Sequence, residues 1–275
     1  MKNEQYVCFL QWALPQMRMR WPGFRKVRRQ VCKRLDARIR DLGLTGVGEY
    51  QAYLQEHADE WARLDSLCRI TISRFYRDKG VFVTLAKEVL PLLASVVHKR
   101  GDSALRIWSA GCGSGEEPYT LAALWDIELQ SRFPQITMDI VATDADPGMI
   151  QRALDARYEF SSLKDLPESW RNLVFAREED TYCIKPEYTR GIKFLEQDIR
   201  QEQPGGHFDL VLCRNLVFTY YDDALQRQLI RRIVGAMHGG AALVLGIHEH
   251  VPEGAHELSM WFDKQRIFRK IGDRN

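Results

Sequence analysis

Between Leu105 and Thr120 the chain reads LRIWSAGCGSGEEPYT: an apolar run, three glycines at alternate positions, then two acids. The run 105–110 has the length of a strand buried on both faces. Gly111, Gly113 and Gly115 predict a turn whose backbone approaches a ligand closely, and the helix that follows offers unpaired N–H groups at its N-terminus. The spacing is G-x-G-x-G, not the G-x-G-x-x-G of dinucleotide-binding turns. Glu116 and Glu117 stand where a pyrophosphate would lie. Phosphate seeks a helix N-terminus because the dipole and the N–H groups favour negative charge, so two carboxylates there repel it. They suit a cationic ligand without phosphate, such as S-adenosylmethionine. The alternative is that both acids simply stabilise the first helical turn.

Downstream of residue 104, strands alternate with helices. Strands are expected at 105–110, 138–143, 208–213 and 241–246, with a last edge strand over 265–271. Helices are expected at 116–129, 147–158 and 222–237, the last stopped by Gly239-Gly240. This alternation predicts an α/β fold, a Rossmann-like doubly wound sheet with ligands at the carboxyl ends of its strands. Residues 159–195 interrupt the pattern, and 165–195 reads as a small β insertion. Residues 1–90 read as an all-helical N-terminal domain, leaving 91–275 as the sheet domain. Val27, Val31, Leu35, Ile39 and Leu42 form an apolar stripe in a strongly basic helix, ended near Gly43. A second helix is expected over 48–67, and 81–94 resumes the helical pattern.

Net charge is only +2, which argues against a general nucleic-acid binder, but its distribution is uneven. Residues 1–40 hold eleven Lys and Arg against Glu4 and Asp36, a net of +9, so the remainder carries −7. The basic helix is either a solvated face or a docking surface for an acidic partner. Six cysteines without C-x-x-C spacing indicate reduced thiols and a reducing compartment. The N-terminus has no signal-peptide pattern and no run of 18 apolar residues occurs, so no membrane insertion is expected and the cytoplasm is the default.

Three site candidates follow from position. Asp144, at the end of the second strand, can accept both hydroxyls of a ribose, because Asp146 is the better cap for a helix beginning at Pro147. Asp198 follows a probable strand and can reach an adenine amino group. Arg77 can hold a carboxylate acceptor in line for displacement at a sulfonium methyl, or else form a surface ion pair with Asp78. Such an acceptor is already ionised near neutral pH and needs no general base. His248, Glu249, His250 and His256 match no helical metal-binding spacing, so no metal is expected.

Several segments in order resemble the CheR-type chemoreceptor glutamate methyltransferases: RLDARIRDLGL…EYQAYL (34–54), TISRFYRD with Phe82, IWSAGCGSGEEPYTLA (107–122), VATDAD (141–146) and FDLVLCRNL (208–216). The resemblance implies an S-adenosylmethionine-dependent O-methyltransferase that esterifies protein glutamates and releases S-adenosylhomocysteine. It implies cofactor contacts from Thr71, Ser73, Arg77, Gly111, Glu117, Asp144, Asp198, Ile199, Asn215 and Leu216. It places Arg77 and Tyr220 at the reacting centre, and sets the basic helix against an acidic, helical, chemoreceptor-like partner. The chain departs from the family pattern at Thr71, at Tyr76, at Asp198, in LVFTYYD, where Thr219 or Tyr220 fills the usual tyrosine place, and in the late loop Gly246-Ile247-His248-Glu249-His250. A small molecule or another protein therefore stands as the alternative acceptor, and a cofactor-binding module without turnover as a third reading.

Overall fold

The computed structural model describes residues 2–272. Its contacts divide the chain into two compact units, one of residues 1–71 and 216–226, the other of 72–215 and 227–275.

The first unit is helical: α1 (Lys2–Gln16), α2 (Trp21–Phe24), α3 (Arg28–Asp41), α4 (Val47–Glu56) and α5 (Glu60–Cys68). In α3, Val31, Leu35 and Ile39 recur every four residues and are buried; Lys33 and Arg40 are exposed, while Arg34 and Arg38 are half-buried and bond neighbouring elements. The expected helix over 48–67 is two helices. The break is closed by side chains, with Trp61 Nε1 donating to the Leu54 carbonyl (2.9 Å) and His57 Nδ1 2.9 Å from the Tyr53 carbonyl. Glu60, 4% exposed, takes both arms of Arg38 (2.9 and 2.6 Å) and the Tyr50 hydroxyl (2.8 Å). Arg38 is the main reason its carboxyl is held below the ordinary range. The short α11 (Val217–Tyr220) belongs to this unit: Tyr220 packs on Phe24 with ring centres 5.0 Å apart, and Arg20 N donates to the Tyr220 carbonyl (2.9 Å).

The second unit begins with α6 (Lys79–Thr84), which runs through one π turn (Leu85–Val89) into α7 (Leu90–Lys99). This 21-residue helix is long and apolar enough to cross a membrane by length and composition. Its Val81, Phe82, Leu85, Val89, Leu93 and Val97 are packed in the core of the sheet unit. The division expected at residue 90 falls inside this helix, whereas the contact division lies at 71 and also assigns 216–226 to the first unit.

The remaining elements are β1 (Ala104–Ala110), α8 (Glu116–Leu124), β2 (Thr137–Asp144), α9 (Pro147–Asp155), β3 (Arg157–Glu159), α10 (Glu168–Val174), β4 (Phe175–Glu178), β5 (Thr181–Ile184), β6 (Ile192–Glu196), β7 (Phe208–Cys213), α12 (Asp223–Gly235), β8 (Met237–Leu245), β9 (Leu258–Phe262) and β10 (Ile267–Lys270). Seven strands form one sheet in the order β6-β2-β1-β7-β8-β10-β9. The first five run parallel; β10 pairs antiparallel with β8, and β9 antiparallel with β10. From β1 the chain winds outward through β2 to β6, then returns to β7 on the other side. The reversal between β1 and β7 opens a crevice at the carboxyl ends of the parallel strands.

Some expectations need correction. Gly239 and Gly240 lie inside β8, and α12 already ends at Gly235. The strand expected at the sheet edge, β10, is flanked on both sides, because β9, whose residues are half-buried or exposed, lies outside it. The helix expected through Tyr158 stops at Asp155, where Ala156 turns left-handed (φ 52°) into β3. The small insertion is a three-stranded antiparallel sheet, β3-β5-β4, spanning 157–184, while β6 joins the main sheet.

Candidate functional site

The glycine turn is held by the end of β2. Gly111 N and Cys112 N both donate to the Thr143 carbonyl (2.8 and 2.9 Å), and Gly113 N donates to Asp144 Oδ2 (2.9 Å). Gly115 shows why glycine is required there. Its φ is +91°, and an added Cβ would stand 3.0 Å from both the Tyr119 ring and Ala153 Cβ. Cys112 is buried within the turn, and burial pushes its thiol well up, so it stays protonated and packs as a small apolar group.

The two acids that follow part company. Glu116 points inward at 3% exposure and accepts from Ser114 Oγ (3.0 Å). Burial raises its pKa, and its own backbone amide, Ser114 and Ser73 oppose that rise. Glu117 is half-buried. Its Oε1 accepts from Ser109 Oγ on β1 (2.8 Å), and its Oε2 accepts from Arg214 Nη1 (3.0 Å). A carboxylate has about four acceptor positions, so these two bonds leave Glu117 capacity for a ligand cation.

Arg214 went unread in the sequence. Its side chain is 3% exposed, and it reaches three groups: Glu117, Asp78 Oδ2 (2.6 Å) and the Arg77 carbonyl (3.1 Å). It also lies over the Phe82 ring at 5.5 Å. Asp78, read only as a partner for Arg77, is therefore part of this knot. The one signal available was a charged residue directly after the wholly buried strand FDLVLC.

The stretch 72–78 lies on the same face. Tyr76 N donates to Thr120 Oγ1 (3.1 Å) on α8, and Phe75 N to the Ser162 carbonyl (3.0 Å). Tyr76 and Asp78 are both left-handed (φ 58° and 61°), a conformation that non-glycine residues keep only when their surroundings enforce it. The Arg77 side chain is half-buried and bonds the Ile72 carbonyl. A cavity of about 430 Å³ opens beside it, lined by Arg77 with Arg74, Lys79, Asp165, Asn215 and His248 among others.

Asp144 ends β2 and is already engaged, with Oδ2 taking Gly113 N and Oδ1 taking Asp146 N (3.0 Å). Asp146 caps α9, accepting from Gly148 N (2.8 Å) and Met149 N (3.3 Å). Past β6, Asp198 accepts both arms of Arg200 (2.6 Å at the closest), and Ile199 is buried. Ser73, Arg77, Gly111, Glu117, Asp144, Asp198, Ile199 and Asn215 thus all belong to the sheet unit. Thr71, Leu216 and Tyr220 belong to the helical unit. Among the described residues no three His, Cys, Asp or Glu side chains gather as a metal centre requires. The donor set is a run of glycine turns, an acid beside the helix N-terminus and an acid at the next strand end. It fits a ligand that is cationic at one end, carries vicinal hydroxyls and lacks phosphate.

Comparison with known proteins agrees with that chemistry. Residues 71–267 match the family described as CheR methyltransferase, SAM binding domain. The chain is 33% identical over 204 residues to the chemotaxis protein methyltransferase of Listeria monocytogenes, covering 74% of each chain. It is 29% identical to chemotaxis protein methyltransferase 2 of Vibrio cholerae, covering 88% of this chain and 83% of that one. It is 28% identical to the chemotaxis protein methyltransferase of Escherichia coli, covering 81% and 77%.

Proposed function

Since this chain belongs to the CheR methyltransferase family, with S-adenosylmethionine as cofactor, we propose that it esterifies glutamate side chains of a chemoreceptor-like protein. When bound, the cofactor supplies an electrophilic methyl on a sulfonium centre. In this reading Glu117 receives the ammonium group, Asp144 the ribose hydroxyls, and the glycine turn lets backbone lie against the ligand. Ser73, Asp198, Ile199 and Asn215 complete the sheet unit's contacts, and the family resemblance adds Thr71 and Leu216. Arg77 grips the acceptor carboxylate, and its planar fork fixes the direction from which the carboxylate oxygen approaches. Tyr220 is the second candidate at the reacting centre. The cytoplasm is the compartment this reading assigns.

The observation that carries the acceptor class is the cavity beside Arg77. Arg74, Arg77 and Lys79 bring three cations to it; Asp165 pairs with Arg74 (3.4 Å) and Asp78 with Arg214, which leaves a surplus of two positive charges. That surplus favours an anionic acceptor. On α3, Arg29, Lys33 and Arg40 are exposed and share one face, spaced by four and seven residues, whereas Arg38 is engaged by Glu60. This stripe suits an acidic helix. The test is incubation with radiolabelled methyl donor and receptor-bearing extract. Label on a protein band that mild base releases supports a glutamate ester, and base-stable label rejects it. The late loop favours one alternative: Ile247 and His248 line the cavity, so a different acceptor remains a second reading. Label confined to small molecules would select it.

A further inference from the structure

We propose that Glu249 is a positioning residue that holds the turn after β7 in its ligand-binding shape through Asn215. The inference rests on the reading of Asn215 as a cofactor contact. Asn215 sits in the left-handed region (φ 56°), which Asn tolerates better than other non-glycine residues but does not prefer. Glu249 is 3% exposed, and its Oε2 accepts from Asn215 N (2.8 Å) and from Gly246 N (2.7 Å). The two amides belong to the turns that follow β7 and β8, neighbouring parallel strands. One carboxylate oxygen therefore ties two strand ends together. Glu249 N in turn donates to the Gly246 carbonyl (2.8 Å), closing a tight turn that aims the carboxylate back at Asn215. Gly246 is required by space: an added Cβ would stand 2.8 Å from both Asn215 Oδ1 and Glu249 Oε2.

Without this carboxylate two amides lose their acceptor and Asn215 is free to relax to other conformations. Affinity for a ligand that needs the left-handed turn then falls by the fraction of molecules still holding it. The loss appears in binding and in KM for the methyl donor, with kcat of the saturated enzyme little changed.

Calorimetric titration of the full chain with S-adenosylhomocysteine tests this, with thermal unfolding as a fold control. Glu249→Ala and Gly246→Ala should each bind at least tenfold more weakly. Glu249→Gln keeps a carbonyl oxygen for both amides and should bind within threefold of the parent. Parent affinity in Glu249→Ala, or a Gln variant as weak as the Ala one, overturns the proposal. If Glu249→Ala does not fold, Gly246→Ala decides, and parent affinity there overturns it too. Failure of the unmodified chain to bind S-adenosylhomocysteine would instead remove the cofactor reading beneath it.

Discussion

Arg214 and Glu117 meet at 3.0 Å although 97 residues separate them, and the same guanidinium closes on Asp78 at 2.6 Å. The pair joins the end of β7 to the first turn of α8, and Asp78 adds the loop that carries Arg77. Breaking a buried pair by removing one partner leaves an uncompensated charge and costs about 3–5 kcal/mol. Arg214→Ala should therefore lower the unfolding temperature by roughly 10 °C, at about 2–4 °C per kcal/mol for chains of this order. The double variant Arg214→Ala/Glu117→Gln removes both charges of the pair and should recover part of that loss. Differential scanning fluorimetry on the cycle checks it, and additive losses would mean the two groups are not coupled.

Arg77 stands apart from that knot in stability. Its guanidinium bonds one carbonyl and borders the cavity. Arg77→Ala should keep the unfolding midpoint within about 0.5–1 kcal/mol, the usual range for a partly exposed side chain. It should reduce kcat/KM for a carboxylate acceptor by about a hundredfold or more, because misplacing a reacting group by about 1 Å costs that much. Steady-state kinetics with base-labile label as product measures both. Unchanged turnover would take Arg77 away from the reacting centre.

Glu116 provides a pH signature. Burial raises its folded pKa above the ordinary 4.5. A carboxyl that holds its proton more tightly when folded favours the fold below its unfolded pKa. That contribution is lost as pH rises through the raised folded value. Glu116→Gln never acquires the charge, so its stability relative to the parent should increase from pH 4 towards neutral and then level off. Urea midpoints at four or five pH values follow this. A difference that is flat with pH would show that Glu116 does not titrate differently in the fold.

The exposed stripe on α3 should act at long range. Reversing Arg29, Lys33 and Arg40 to Glu should slow association with an acidic protein acceptor by tenfold or more at low salt and flatten its salt dependence. Stability should change little, as for most surface positions, and S-adenosylhomocysteine affinity should stay the same. Equal loss of turnover on a small carboxylate acceptor would mean the stripe is not a docking face.

Much of this was legible because strand burial and turn chemistry are local. FDLVLC is a strand over the expected six residues because every one of them is buried, and Asp146 caps α9 because Pro147 follows it. Asp144 and Asn215 were readable as strand-end residues, and Glu117 as an acid in the first turn of α8, for the same reason. The roles that are not legible depend on distant partners or partial burial. Arg214 is explained by Glu117 and Asp78, 97 and 136 positions away, and Glu249 by an amide 34 positions away. The edge strand β9 has no wholly buried residue, so its pattern carries no alternation to read. Helices α4 and α5 read as one because their break is closed by Trp61 and His57 rather than by glycine or proline.

All the sheet unit's candidate residues lie at or near one rim, because five strands run the same way. The opposite rim, where those strands begin, includes the short turns 101–103 and 205–207. An added Cβ at Gly205 meets nothing within 4 Å. That rim is where further chain can be spliced in, as a reporter, a fusion partner or an evolved appendage, without disturbing the chemistry at the far end.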